Sequence, residues 1–118
     1  MKKIILTAAL SSALTLLAMF CFGFAELPKE VRLENARVKV TEVTYTPGTP
    51  RERYIRPTDQ VIVFLDDCRY ERTDSKTGEK IMRQRKSGEV IWHDKGEDAP
   101  VLINKGSKPY RTLVIELK

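Results

Sequence analysis

Tyr54 and Arg56 are a pair of side chains whose types and spacing could do chemistry. Side chains two positions apart in an extended segment point to the same side, so this pair is predicted to act together. The pair lies just before the apolar run Val61 to Leu65, which reads as a buried strand. A guanidinium can hold a carboxylate, sulfate or phosphate through two parallel hydrogen bonds, and a phenol can stack on a ring or donate a hydrogen bond. The pair therefore predicts recognition of a small anionic or sugar-like molecule.

The other reactive residue types lack the partners that catalysis needs. The single histidine, His93, ends the apolar run EVIWH and is predicted to be solvated or to cap a turn. Ser75, Ser87 and Ser107 lie in turn-like sequences without an evident base. Cys68 is predicted to be a buried thiol, and an intermolecular disulfide or a reactive thiol is the alternative. No catalytic residue is predicted.

The first residues have the pattern of an export signal. A positive MKK is followed by a long uncharged apolar run, and small residues stand at Gly23 and Ala25. This pattern predicts a helical signal peptide over residues 1–25, cleaved after Ala25, and a periplasmic or secreted protein. An uncleaved membrane anchor and a lipid attached at Cys21 are the alternatives. After cleavage the chain would meet the membrane no further.

Residues 26–118 are predicted to form one small domain. The chain has a formal net charge of +5, and two of its lysines lie in the signal segment, so the charge is too mild to indicate nucleic-acid binding. Cys68 would be the only cysteine of this domain, which excludes an internal disulfide. The most basic stretch runs from Arg69 to Lys86, and it is predicted to be a hairpin whose opposite charges face each other, or else a docking face for anionic material.

Short alternating runs, interrupted by turn residues about every eight to twelve positions, dominate the domain. They predict about eight strands in an antiparallel sandwich or small barrel. A phase shift near Thr41 predicts a bulge in the first clear strand. The only helix considered after the signal is a single turn within residues 28–36.

The order of these segments resembles that of a small single-domain cupin, an antiparallel double-stranded β-helix of the jelly-roll type. The resemblance runs from Val38 to Leu117. Its second half, which carries Gly88, Trp92, Gly96 and Asn104, matches the family's spacing most closely. The resemblance implies an all-β fold over residues 26–118 and a site at the mouth of the barrel.

The metal site of the family does not carry over. At the positions where the resemblance implies histidine and carboxylate ligands, this sequence has Tyr54, Arg56, Gln60 and Asp98. An arginine cannot lose its proton and would repel a cation. We therefore expect no metal and no cofactor.

The same resemblance places Gln60, Asp98 and Trp92 around Tyr54 and Arg56. Arg56 would either form an ion pair with Asp98 or Asp59 and fill the site, or remain free to hold an anion while Trp92 walls the pocket. These readings favour a binding or structural role in the cell envelope. A metal-independent epimerase or lyase acting on a small sugar or acid is one alternative. Another is a homodimeric interaction subunit paired through the closing strand.

Overall fold

The computed structural model describes residues 26–118, and the signal segment predicted over residues 1–25 lies outside the described residues. The described part contains ten strands and no helix, so the all-β prediction is confirmed. Nothing in this part is a helix of the length and hydropathy that crosses a membrane. The strands are β1 (Lys29–Glu34), β2 (Val38–Tyr45), β3 (Tyr54–Ile55), β4 (Asp59–Phe64), β5 (Cys68–Thr73), β6 (Lys80–Arg85), β7 (Val90–His93), β8 (Asp98–Ala99), β9 (Val101–Asn104) and β10 (Tyr110–Leu117).

Two antiparallel sheets form the two walls of the barrel. The larger has the strand order β1-β2-β10-β4-β7, and the smaller has the order β6-β5-β9. A third pair, β3 with β8, lies beside them and carries the segment around Tyr54. Within β4 the alternate residues Gln60, Ile62 and Phe64 are buried, as expected for a strand with one face against a core.

The inner face of the five-stranded sheet changes character along its strands. At one end Tyr45 stands opposite Tyr110. At the other end a polar row crosses four strands in register, and its members are Lys39, Glu116, Gln60 and His93. The aromatic end can pack into a core, whereas the polar end must be hydrated, hydrogen-bonded or filled by a ligand.

Stacked aromatic rings join the two walls at the aromatic end. Tyr45 and Tyr110 lie 4.7 Å apart between ring centroids, and Tyr110 lies 6.2 Å from Tyr70. Tyr70 lies 6.3 Å from Phe64. Tyr70 belongs to β5 in the smaller sheet and the other three rings belong to the larger one, so the stack crosses the interior from wall to wall.

The outer face of the five-stranded sheet carries an apolar row. Successive register pairs place Leu33, Val40, Ile115, Val61 and Trp92 side by side across all five strands. Leu33 is 53% exposed and Trp92 is 51% exposed. These side chains point away from the interior because residues directly opposite in a sheet share one face.

Two local predictions near the amino-terminal end are wrong. Residues 29–34 form β1 rather than a helical turn, because they pair with β2 along its length. The irregularity near Thr41 belongs to β1: Val31 pairs with Thr41 and Leu33 with Val40, so Arg32 is the extra residue. Strand β2 continues against β10 without a shift.

The closing strand does not lie at an edge. Strand β10 pairs with β2 on one side and with β4 on the other, so its hydrogen-bonding groups are already used. The free edges of the larger sheet belong to β1 and β7. Pairing of two copies through β10, as predicted, is therefore wrong, and homodimerisation itself stays a prediction.

We expect Phe64→Ala to lower the free energy of unfolding by about 3–5 kcal/mol, because it removes a ring that is 4% exposed and stacked on Tyr70. Leu33→Ala, on the exposed β1, is the control and should cost less than about 1 kcal/mol. Urea denaturation followed by circular dichroism measures both. Equal losses would contradict the position assigned to this core.

Candidate functional site

The loop after β7 fixes the backbone of Arg56. The Arg56 N–H donates to the carbonyl of Glu97 at 3.0 Å, and the N–H of Gly96 donates to the carbonyl of Arg56 at 2.9 Å. Gly96 adopts a φ of 87°, a left-handed conformation in which a side chain is strained. Just before Arg56, Tyr54 pairs with Ala99. These bonds hold the two residues at the polar end of the interior.

The Arg56 side chain is buried, with 4% of the residue exposed. Its Nη1 donates to Oε1 of Gln60 at 2.7 Å and lies 3.3 Å from the Tyr54 hydroxyl. The hydroxyl is 3.4 Å from the same Gln60 oxygen, and Gln60 is 1% exposed. The structure thus brings three of the sequence-predicted site residues into one hydrogen-bonded cluster.

No carboxylate of the described residues neutralises Arg56, since none of their ion pairs within 4.0 Å includes it. The Nε atoms of Arg56 and Arg51 are both buried without a hydrogen-bond partner. The two guanidinium carbons lie 5.6 and 5.5 Å from the centre of the Tyr54 ring. Burial lowers the pKa of Arg56 and the charge of Arg51 acts in the same direction, whereas Tyr54 and the more distant Glu97 carboxylate raise it. The cluster is therefore short of negative charge.

A cavity of about 1010 Å³ opens onto this cluster. It lies between the two walls and is lined by three members of the polar row, Lys39, Glu116 and His93. Six arginines from several elements line it, together with Lys29 and Lys39: Arg51, Arg53, Arg56, Arg72, Arg83 and Arg85. Fewer acidic residues line it, and they are Glu26, Glu52, Glu97, Asp98 and Glu116. The interior is therefore cationic overall, and it suits a ligand of opposite charge.

The predicted ion pair between Arg56 and Asp98 is wrong. Asp98 accepts a hydrogen bond from Nε of Arg53 at 2.5 Å and another from the Ser75 hydroxyl at 2.5 Å. The Ser75 bond is the main cause of the lowered pKa of this carboxyl. Asp59, the other predicted partner of Arg56, accepts from the backbone of Lys95 at 2.8 Å. With both carboxylates engaged elsewhere, the site is not closed by a salt bridge.

Trp92 does not wall the cavity as predicted, and His93 does. Trp92 lies in the outer apolar row, where its indole N–H donates to Asp94 at 2.8 Å. His93 has the opposite parity in β7 and stands directly opposite Gln60 on the inner face. The register of β7 against β4 was the missing information, because sequence alternation gives two faces without saying which one is inner.

The imidazole of His93 is held in a defined orientation. Its Nδ1 lies 2.8 Å from a carboxylate oxygen of Glu97, which also has its pKa lowered, mainly by this bond. Burial is the main cause that lowers the pKa of His93, and the charge of Arg56 lowers it further. The neutral ring then donates from Nδ1 to Glu97, which leaves Nε2 as an acceptor. The predicted solvated or turn-capping histidine is thus a cavity residue.

The predicted charge pairing across the basic hairpin is confirmed in one ion pair only, and not for residues that stand directly opposite each other. None of the six register pairs between β5 and β6 joins opposite charges; Arg72 faces Ile81 and Arg83 faces Tyr70. The hairpin's ion pair, Lys80 with Glu71 at 4.0 Å, is diagonal. Three of its arginines instead line the cavity, at positions 72, 83 and 85. The alternation of Cys68, Tyr70 and Arg72 indicated a shared face, but not that the face is internal.

The residues at the position where the resemblance implies a metal do not fit one. Tyr54 and Gln60 supply a phenol and a neutral amide oxygen, and the permanently charged Arg56 between them would repel a cation. Within residues 26–118, no group of three or more His, Cys, Asp or Glu is arranged to hold a metal. No chemical step through a metal follows from these residues.

Cys68 packs at the margin of the core, half-buried beside the aromatic cluster. Burial raises the pKa of its thiol to about 11. A thiol with so high a pKa is a poor nucleophile at neutral pH, in line with the packing role predicted for it.

Solved structures with the same chain path define the class of fold. A cupin-domain protein from Bordetella pertussis Tohama I matches with a TM-score of 0.70 at 22% identity, over 79% of this chain and 94% of the other. A cupin superfamily protein from Desulfitobacterium hafniense matches with a TM-score of 0.59 at 14% identity, over 78% and 77%. The chain is thus an antiparallel double-stranded β-helix. Its fold is that of a small cupin, as the sequence resemblance implied.

Enzymes also share this fold. The polyketide cyclase RemF from Streptomyces resistomycificus matches with a TM-score of 0.62 at 17% identity, over 78% of this chain and 65% of the other. The DMSP lyase DddQ from Ruegeria pomeroyi matches with a TM-score of 0.58 at 13% identity, over 79% and 47%. No family model and no curated protein matches the chain. Likeness at these identities concerns the fold, and function has to come from the site.

Because His93 is the only histidine, its titration can be followed by NMR without assignment of others. We expect a pKa below the ordinary value of 6.5. Arg56→Gln should raise the pKa by removing repulsion, and Glu97→Gln should lower it by removing the hydrogen bond. Since the folded chain holds this proton more weakly than the unfolded chain, the free energy of unfolding should rise with pH just below 6.5. A titration above 6.5 would contradict the arrangement.

Proposed function

We propose that this chain is an exported cupin-fold protein that binds a small anionic or sugar-like ligand in its cavity, at Arg56. The observation that carries the proposal is a guanidinium that is 4% exposed and has no carboxylate partner among the described residues. An unpaired buried charge costs several kcal/mol, which a bound anion would offset. A carboxylate, sulfate or phosphate supplies that charge with charge-assisted hydrogen bonds.

The surroundings of Arg56 support a small-molecule ligand. The cavity volume of about 1010 Å³ is ample for one, and the site lies at its polar end. Gln60 and Tyr54 already hold Nη1, so the guanidinium is fixed before the ligand arrives. The exposed ring of Tyr54 gives a flat apolar surface for a sugar or planar acid. Export is proposed from the signal segment predicted over residues 1–25, which would direct the protein to the periplasm or outside the cell.

Calorimetric titration of the purified protein with phosphate, sulfate and acetate tests this proposal. Arg56→Gln should weaken binding about ten- to hundredfold, the effect of one charge-assisted interaction of about 1.5–3 kcal/mol. Arg37→Gln removes the same charge from an exposed position and should leave the affinity unchanged. Equal losses in the two variants, or no binding of any of the anions at millimolar concentration, would refute the site.

One observation favours a second candidate, a metal-independent enzyme acting on a small sugar or acid. His93 stands opposite Gln60, which bonds to Arg56, so a proton acceptor lies beside the proposed anion site. Its neutral form presents Nε2 as a general base while Glu97 holds Nδ1. Such a base can take a proton from carbon next to the carbonyl of an acid held at Arg56. The electron pair then moves onto the carbonyl oxygen as an enolate.

Exchange of the methyl protons of pyruvate in D₂O, followed by proton NMR, tests the second candidate. The carbon gives its proton to Nε2, and a deuteron from the exchanged imidazole replaces it. We expect His93→Gln to reduce the protein-dependent rate about a hundredfold or more. Wild-type protein that accelerates no exchange at saturating pyruvate would leave binding as the function and reject the enzyme.

A further inference from the structure

A second cationic group lines the cavity, on the inner face of the three-stranded sheet. Arg72 and Arg83 both reach the cavity from this sheet. Neither takes part in an ion pair within 4.0 Å among the described residues. The third arginine of this face, Arg85, is engaged with Tyr70 and Glu89. On the inner face of this sheet, Arg72 and Arg83 are therefore the arginines without an ion pair within 4.0 Å among residues 26–118.

Strand register fixes the position of Arg72 relative to Arg51. Arg72 stands opposite Leu102 in β9, and Leu102 stands opposite Arg51 on its other side. Residues directly opposite one another share a face, and all three line the cavity. With neighbouring strands about 4.8 Å apart, the backbones of Arg51 and Arg72 are about 10 Å apart. Leu102 lies between the two side chains.

Arg51 and Arg56 both lie beside the ring of Tyr54, with guanidinium carbons 5.5 and 5.6 Å from its centre, and the charge of Arg51 acts on Arg56. The cavity therefore has a cationic centre at Arg51 and Arg56 and another at Arg72. The surface between Arg51 and Arg72 is apolar at Leu102, which lies between them in register. Asp98 is paired with Arg53. Glu97 keeps its charge while His93 is neutral, but it lies more than 4.0 Å from the Arg56 guanidinium and offsets that charge only in part.

We propose that the ligand is an elongated dianion with an apolar middle, such as an α,ω-dicarboxylic acid. One carboxylate binds at Arg56 and Arg51, the other binds at Arg72 with Arg83 nearby, and the methylene chain lies against Leu102. This inference rests on the proposed function, because it uses the same anion site at Arg56. A monoanion would leave one of the two centres without a counter-charge, whereas a dianion supplies one negative charge to each.

Calorimetric titration at constant ionic strength tests the inference with acetate and butyrate against succinate, glutarate, adipate and suberate. We expect at least one dicarboxylate to bind about ten- to hundredfold more tightly than the monocarboxylates, with a single best chain length. Arg72→Gln should reduce the affinity of that dicarboxylate to the level of butyrate. The same change should leave the affinity for butyrate as it was, because the monoanion occupies the Arg56 end.

Arg69→Gln is the matched control, because Arg69 lies on the outer face of the same strand as Arg72. It should leave every affinity unchanged. Arg83→Gln, at an exposed position, repeats the test if Arg72→Gln proves unstable by circular dichroism, and it should also weaken the dicarboxylate selectively. Butyrate and dicarboxylates that bind alike, with a loss in Arg56→Gln, would overturn the dianion and keep the anion site. No binding of any acid would overturn both.

Discussion

The aromatic stack between the two walls is the interaction on which the rest of the molecule depends. Tyr70 is the only ring that the smaller sheet contributes to it, and it contacts Tyr110 and Phe64 of the larger sheet. Burial raises the pKa of Tyr110, a sign of how dry this end is. The domain has no internal disulfide, so packing of this kind has to hold the walls together. The stack also sets the spacing at which the arginines of the hairpin face the polar row.

The site lowers the free energy of unfolding, whereas the aromatic stack raises it. A buried guanidinium without a carboxylate is unfavourable, and Arg51 close to Arg56 adds repulsion. Three features offset this cost in part: the Gln60 oxygen, the Tyr54 hydroxyl and the two backbone bonds that fix Arg56. None of them carries a full negative charge. A position of this kind, expensive for the fold and fixed in geometry, is typical of functional sites.

The sequence predicted the fold better than it predicted the site. Alternation and turn residues were sufficient for the antiparallel strands, and the pair Tyr54 and Arg56 was correctly placed on one side. The sequence could not show that Asp98 is not the partner of Arg56. Asp98 binds Arg53 and Ser75 because of a loop geometry that residue spacing does not predict. Trp92 and His93 were exchanged because alternation has two equivalent phases until register selects one.

The short pair β3 and β8 and the first strand β1 were missed for a related reason. Two-residue strands such as Tyr54–Ile55 carry no period, and they exist only through their partner. β1 is exposed along its whole length, so no hydrophobic alternation marked it; its backbone bonds to β2 create it. Arg51 and Arg72 likewise had no distinguishing signal in the sequence, because only the strand register shows that they lie on either side of Leu102.

Because His93 lies near Arg56, protonation of His93 and binding of an anion at Arg56 are linked equilibria. The guanidinium keeps its proton at any physiological pH, so only the imidazole can respond to acidity there. An anion held at Arg56 would cancel the repulsion that now disfavours the imidazolium. Protonation of His93 and binding of the anion would then strengthen each other by the same factor, as thermodynamic reciprocity requires. Binding of the ligand would thus be accompanied by uptake of a proton, and mild acid would raise the affinity of the cavity for the ligand.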